Sequence, residues 1–219
     1  MNYDPSITPL DLVELYWPHV RLYSKQREML MSVRESVETV VVACNGSGKD
    51  YLFGGVCVLF FKFPWVFFPE DYVAEVERFR TPGDNPHTRR IVTTSVRGDH
   101  LDVLWGSIGW WVRTCKMDLG AGEDGIVMLD KEIRFKRELG SLQEKNLQNY
   151  LVGTVSKAGE GLAGHHAAYT LGMVDEASGM SSEVYKRFRG WTKRLVMFGN
   201  AEPCENEFKH NFSEGDVLV

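Results

Sequence analysis

Residues 38–50 read ETVVVACNGSGKD, and the fold of the chain turns on how this stretch is read. Its first part, ETVVVAC (38–44), is a run of β-branched residues that is apolar on both faces, the pattern of a central strand in a parallel sheet. Glycines follow at once, and a helix is expected from about Lys49. A phosphate-binding loop needs this strand, glycine loop and helix in this order, with the pattern Gly, four free positions, then Gly-Lys-Ser/Thr. Gly48-Lys49 match. Ala43 stands at the first glycine, and Asp50 stands where the hydroxyl residue belongs. A plain strand-to-helix turn is the competing reading, and the loop alone does not decide between them.

The 219 residues suit one large α/β domain or two very small ones. At 43% apolar and 25% charged residues, the chain can bury a core and is neither disordered nor collagen-like. Its formal net charge of −5 implies that any nucleic-acid contact is local or is supplied by another chain. Four cysteines form no C-x-x-C pair and have no His-rich partner segment, which excludes a zinc site and fits a reducing compartment. The start, MNYDPSITPLD, has no apolar signal-like region. The most apolar stretch, FGGVCVLFFKFPWVFFP from Phe53, is broken by Lys62 and Pro64 and reads as a buried helix and its exit. The expectation is a soluble intracellular protein.

Outward from the loop, a short helix is expected over 8–17, opened by Thr8 and Pro9. A second is expected over 24–36, with Ser24 as cap and Met29, Leu30 and Val33 as its stripe. Residues 80–90 read as loop. Further buried strands are expected at 90–95, 150–156, 168–177 and 194–200, a helix at 97–116, and a hairpin at 126–136 turning at Asp130-Lys131. Strands alternating with helices imply a mainly parallel sheet sandwiched by helices. Ligands in such sheets bind beyond the carboxyl ends of the strands. The polar clusters fall there: the glycine loop, Asp175-Glu176 and Asn200.

Each group has a chemical part to play. Backbone N–H groups of the loop and the opening helix would hold phosphate oxygens, and Lys49 would bridge the β- and γ-phosphates. Asp175 would hold Mg²⁺, and Glu176 would orient and deprotonate the attacking water. Asn200 would face the γ-phosphate or that water. Asp50 would ligate the ion, directly or through water. Each pair of acids or lone Asn is also common as an ordinary solvated helix start or turn. The basic run KRFRGWTKR (186–194) and a looser cluster of Lys116, Lys131, Arg134, Lys136 and Arg137 could touch a phosphate backbone, or could be solvated surface.

Taken together, these motifs resemble the ATPase domain of phage terminase large subunits, the motors that package DNA into capsids. LYSKQREML resembles the adenine-side glutamine motif of that family, and ACNGSGKD its Walker A. IVTTSVRGDHLDVLWGSI resembles the following strand and helix. GLAGHHAAYTLGMVDEASGMSSEVY carries the Walker B match, and MFGNAEP resembles the coupling motif. The resemblance covers roughly residues 20–208. It implies a P-loop NTPase of the RecA-like, additional-strand catalytic-glutamate type, using ATP and Mg²⁺. Glu176 and Lys49 would be catalytic. Gln26 would lie near the base, and Ala43, Cys44, Asn45, Gly46, Ser47, Gly48, Lys49, Asp50 and Tyr51 would bind ATP. Asp175 and Asp50 would hold the metal, with Asn200 as sensor.

It further implies double-stranded DNA, a portal protein and a small terminase subunit as partners, a homo-oligomeric ring when assembled, no membrane, and the host cell cytoplasm as location. The layout expected is one ATPase domain over 1–219: a helical region with the adenine motif at 1–37, the core at 38–208, and a tail or start of a linker at 209–219. The family's nuclease domain is expected to be absent from this chain. Besides Asp50, two features depart from the family. The loop has no arginine, and Ala163 precedes Gly164 where many members have Arg-Gly. The arginine finger is therefore unassigned, with Arg97, Arg113, Arg134 and Arg137 as candidates and a neighbouring subunit as another source. A helicase-like translocase and a nucleotide-binding assembly module with little turnover are the alternative functions.

Overall fold

A computed structural model of the chain describes residues 4, 6–68, 88–139, 149–156 and 159–209, and the backbone of Val217–Leu218. The loop expected at 80–90 lies outside the described residues up to position 87.

The sheet contains β1 (Glu38–Val42), β2 (Arg89–Ser95), β3 (Ile126–Met128), β4 (Glu132–Phe135), β5 (Tyr150–Val155), β6 (Tyr169–Asp175), β7 (Arg194–Gly199) and β8 (Val217–Leu218). Their order is β3-β4-β5-β2-β6-β7-β1-β8. From β5 to β8 every pairing is parallel, while β3, β4 and β5 pair antiparallel. β8 was not anticipated: two residues of the expected tail pair with Val40 and Val41 beside the loop-bearing strand.

Alternation along the strands divides the core into two layers. Val41, Ile91, Leu171, Met173, Val196 and Phe198 face one way, toward α1 (Pro9–Tyr16), α2 (Ser24–Glu35), α3 (Lys49–Lys62) and α4 (Gly98–Thr114). Val40, Val42, Val92, Val174, Leu195 and Met197 face the other, toward Val184, Tyr185 and Phe188 of α6 (Ser182–Arg189). The remaining helix, α5 (Lys136–Leu139), is a single turn after β4. Helices thus cover both faces of a mostly parallel sheet, as the alternating pattern implies.

Thr8 caps α1 in a reciprocal box with Asp11. At α2 the expectation needs correction. Ser24 is the first helical residue, Tyr23 is the cap, and no side chain bonds the free amides. Tyrosine is too long to cap its own helix, and the Tyr23 hydroxyl donates to the Ser47 carbonyl of the glycine loop, at 2.6 Å.

α3 is apolar on every side and buried from Leu52 to Phe61, because the sheet lies beneath it and α4 beside it. Close approach of α3 and α4 rests on Gly54 and Gly55. A Cβ on Gly54 would stand 2.9 Å from the Ile108 backbone, and one on Gly55 2.5 Å from the Trp111 ring. The hairpin forms where expected, and Lys131 at its turn reaches Asp102 of α4 at 2.6 Å. No helix among the described residues is long and apolar enough to cross a membrane.

Candidate nucleotide-binding site

The loop after β1 is built on two glycines in the left-handed region, Gly46 at φ 80° and Gly48 at φ 76°. Gly48 is the N-cap of α3 and no side chain caps that helix. The amides of Lys49, Asp50 and Tyr51 therefore have no intrahelical acceptor and point past the helix end, where the helix dipole favours an anion. Lys49 is 4% exposed, and its Nζ lies 3.9 Å from Asp50 Oδ2. The loop is held from behind: Ala43 N donates to Gly199 O at 3.0 Å, and Tyr23 supports Ser47 as described.

Gln26 and Tyr51 both stand beside the loop. Gln26 is buried, and its Nε2 packs against Gly48, 2.7 Å from where a Cβ would be. It braces the loop, and Tyr23, Lys25 and Met29 line the neighbouring cleft. The Tyr51 ring turns away to pack on Trp110 and Trp111, and its carbonyl accepts from Trp111 Nε1 at 2.7 Å. Only its backbone N–H faces the site.

Opposite the loop, β6 ends in Asp175, buried at 1% exposure, and Glu176. Glu176 has φ 48°, the one non-glycine residue with positive φ among the described residues. Such a conformation costs about 1–2 kcal/mol and persists where surroundings impose it. Here Asp175 Oδ1 accepts from Glu176 N at 2.8 Å. The Glu176 carboxylate meets two groups through the same oxygen, Oε1: Asn200 Nδ2 at 3.4 Å and His100 Nδ1 at 3.6 Å. Burial pushes the Asp175 carboxyl up to about 7, and repulsion from Asp50 and Glu176 adds to the rise, against the opposing pull of the Glu176 amide and Lys49. The loop's Asp50 thus lies near enough to repel Asp175, so a cation between them would relieve both.

A cleft of about 630 Å³ adjoins the loop, lined by Tyr23, Met29, Asn45, Ser47, Asn200 and Glu202 among others. Beyond β7, Asn206 is buried, and its Nδ2 donates to the carbonyls of Ala177, Ser178 and Met180 at 3.1, 3.0 and 2.8 Å. That amide ties the exit of β7 to the turn that follows Glu176.

Three polar atoms at this end of the sheet are buried without a hydrogen-bond partner: Ser47 Oγ, Ser95 Oγ and Asn200 Oδ1. Folded proteins leave few such atoms, so a cluster of them marks a place made for polar ligand atoms. Among the described residues no three His, Cys, Asp or Glu side chains are placed to hold a metal ion. The donor set fits Mg²⁺ nonetheless. That ion binds through one or two carboxylates and completes its shell with phosphate and water.

The candidate finger residues separate by position. Arg97 caps α4 just beyond the carboxyl end of β2, on the site's side, with its guanidinium on Asp99. Arg113 lies at the other end of α4, 17 residues and roughly 25 Å long. Arg134 is 13% exposed, paired with Glu132 and stacked on Tyr150 at the amino end of β5. Arg137 pairs with Asp124 at 2.5 Å at the same far end.

The basic run is mostly engaged within the chain. Arg189 bonds Glu38 and Glu207, Arg194 the Phe67 and Arg34 carbonyls, Lys193 the Ala168 carbonyl, and Arg187 pairs with Glu183. Sequence reasoning missed His100 and Ser95. The first sits in the motif RGDH, and the second closes the strand motif IVTTS, but nothing local tells that either neighbours Asp175-Glu176.

No family model matches the sequence, and a search of curated proteins finds no match. Solved structures do match. The large terminase ATPase domain of Thermus phage P74-26 aligns with a TM-score of 0.58 and 13% identity, over 94% of this chain and 74% of that one. A point mutant of the same domain gives 0.59 and 13%, over 94% and 75%. The HK97 bacteriophage large terminase gives 0.53 and 9%, over 84% of this chain. This chain spans 34% of the length of that HK97 protein. The loop, the two acids and the strand order therefore stand in a fold that this chain shares with phage large terminase ATPase domains.

Proposed function

We propose that the chain is an ATP-hydrolysing motor domain that drives double-stranded viral DNA into a procapsid. One observation carries the reading: β6, β7 and β1 are adjacent in the sheet, and they bring Asp175-Glu176, Asn200 and the Lys49 loop to one end of it. The shared fold supports it.

The chain's residues divide the work. The loop amides and Lys49 bind the phosphates, with Lys49 offsetting charge that builds on the γ-phosphoryl oxygens during in-line attack. Glu176 takes the proton of the attacking water at its carboxylate, while Asn200, at 3.4 Å, holds that carboxylate and faces the phosphate side. Asp50 and Asp175 hold Mg²⁺, which when bound neutralises phosphate charge. Arg97 is the finger candidate nearest the chain's own site. Arg113, Arg134 and Arg137 lie where they could serve only a neighbour's site. Portal protein, small terminase subunit, a ring of copies and the host cytoplasm are the setting this reading entails, and residues 1–219 act as its single ATPase domain.

The test is Mg²⁺-dependent ATP hydrolysis over a protein concentration series, with Glu176→Gln alongside. Turnover that Glu176→Gln abolishes while ATP binding persists is the expected result. Specific activity rising with concentration would place a finger in trans. A second reading, a nucleotide-binding module with little turnover, draws on Asp50, whose charge faces Asp175 where a triphosphate would lie. ATP binding without turnover at any concentration would favour it and refute the motor.

A further inference from the structure

The loop lacks the hydroxyl that a Walker A Ser or Thr offers the metal ion, since Asp50 occupies that position. A hydroxyl stands nearby on a different strand. In the parallel pairing of β2 with β6, Ser95 is the register partner of Asp175, and neighbouring strands run about 4.8 Å apart. Both residues are buried, Ser95 at 0% and Asp175 at 1% exposure.

Their side chains also share a face. Two residues before Ser95, the Thr93 hydroxyl accepts from Trp105 Nε1 of α4 at 3.0 Å. Two residues before Asp175, Met173 meets Cys57 of α3. Successive side chains alternate across a strand, so Ser95 and Asp175 both point to the α3–α4 face. Asp50, in the first turn of α3, opens that helix on the same face. Ser95 O accepts from Ser156 N at 3.4 Å, but Ser95 Oγ has no partner. A buried hydroxyl left unpaired costs free energy unless something polar meets it.

We propose that Ser95 is a positioning residue of the metal site, its hydroxyl binding the shell of the ion held by Asp175 and Asp50. The hydroxyl absent from the loop is thereby supplied from β2. The proposal rests on the nucleotide reading above and adds a residue to it. Thr94 supplies an internal control. Its Oγ1 is equally buried and unpaired, but it points to the opposite face, with Val92 and Val174.

The experiment measures Mn²⁺ affinity by electron paramagnetic resonance in the presence of saturating ADP, and ADP affinity in chelator, for the wild-type chain, Ser95→Ala, Ser95→Thr and Thr94→Val. Ser95→Ala only removes an atom from the core, and circular dichroism checks that it folds. Expected is a loss of about tenfold in Mn²⁺ affinity for Ser95→Ala, with metal-free ADP affinity unchanged. Ser95→Thr should restore Mn²⁺ binding, and Thr94→Val should stay within twofold of wild type. Wild-type Mn²⁺ affinity in Ser95→Ala would overturn the assignment. An equal loss of metal-free ADP binding would also overturn it, because Ser95 would then shape the nucleotide pocket. A wild-type chain that binds no Mn²⁺ with ADP would refute the nucleotide reading itself, a result distinct from the first two.

Discussion

Gly55→Ala should destabilise the protein, while Gly106→Ala on the facing helix should stabilise it. A Cβ on Gly55 would lie 2.5, 2.7 and 2.9 Å from three atoms of the Trp111 indole. Carbon atoms pack best at about 3.5–4.0 Å, so the ring must move by about 1 Å. It has nowhere to go. Trp111 is fully buried, lies edge-on to Trp17 at 5.1 Å, tilts against Tyr51 at 5.3 Å, and donates to the Tyr51 carbonyl at 2.7 Å. Overpacking of this kind costs about 1–3 kcal/mol. Loosening the indole hydrogen bond adds about 1 kcal/mol, and alanine's better helix propensity returns about 1 kcal/mol. The net loss is about 2 kcal/mol, or roughly 4–8 °C in Tm for a chain of this size. Gly106 is exposed within α4 and has nothing within 4 Å of an added Cβ. There only the propensity gain of about 1 kcal/mol remains, a rise of roughly 2–4 °C. Thermal melts followed by far-ultraviolet circular dichroism read both. Because Tyr51 belongs to the first turn of α3, Gly55→Ala should also weaken nucleotide binding. A Gly55→Ala protein that melts at or above the wild type, with Gly106→Ala behaving as expected, would refute the account of close helix approach.

Two further outcomes are expected. Asp50→Ser should raise the Mg²⁺ concentration needed for half-maximal hydrolysis by about tenfold, whereas tighter nucleotide binding with an unchanged Mg²⁺ requirement would put Asp50 outside the ion's shell. His165 is half-buried: its Nε2 donates to Gly161 O at 3.1 Å and its Nδ1 pairs with the Tyr150 hydroxyl. Burial, more than the nearby Arg90 and His166, lowers its pKa from 6.5. A lowered histidine pKa means the unfolded chain binds the proton first, so its contribution is present above pH 6.5 and fades as pH falls below that. Tm should drop between pH 7 and 5 by less in His165→Gln than in the wild type, and parallel pH profiles would remove His165 from the acid response.

Much of this was legible from local pattern. ETVVV followed by glycines and Lys49 specified the strand, the loop and the helix, because burial on both faces leaves a continuous apolar run. The acids of LGMVDEA and the Asn of MFGN could be placed at strand ends for the same reason. What escaped depends on which strand lies beside which. Ser95 and Asp175 are 80 positions apart and meet through strand register, a relation that periodicity along one segment does not encode. His100 reaches Glu176 for the same reason, across the β2–β6 junction. The inward turn of Gln26 was hidden because a glutamine on the first turn of a helix is equally at home over a base or against a glycine. β8 is two residues long, and its pairing shows no alternation that a sequence could display.

Asn206 links parts of the site that the chain sequence keeps separate. One amide grips three carbonyls of the turn after Glu176 from the segment that begins at Asn200, just past β7. The two strand exits are therefore joined by a buried side chain as well as by the pairing of β6 with β7. A displacement of the segment after Asn200 therefore pulls on the turn that follows Glu176. Under the motor reading, that tie would be a short linkage through which a change at one strand exit reaches the other.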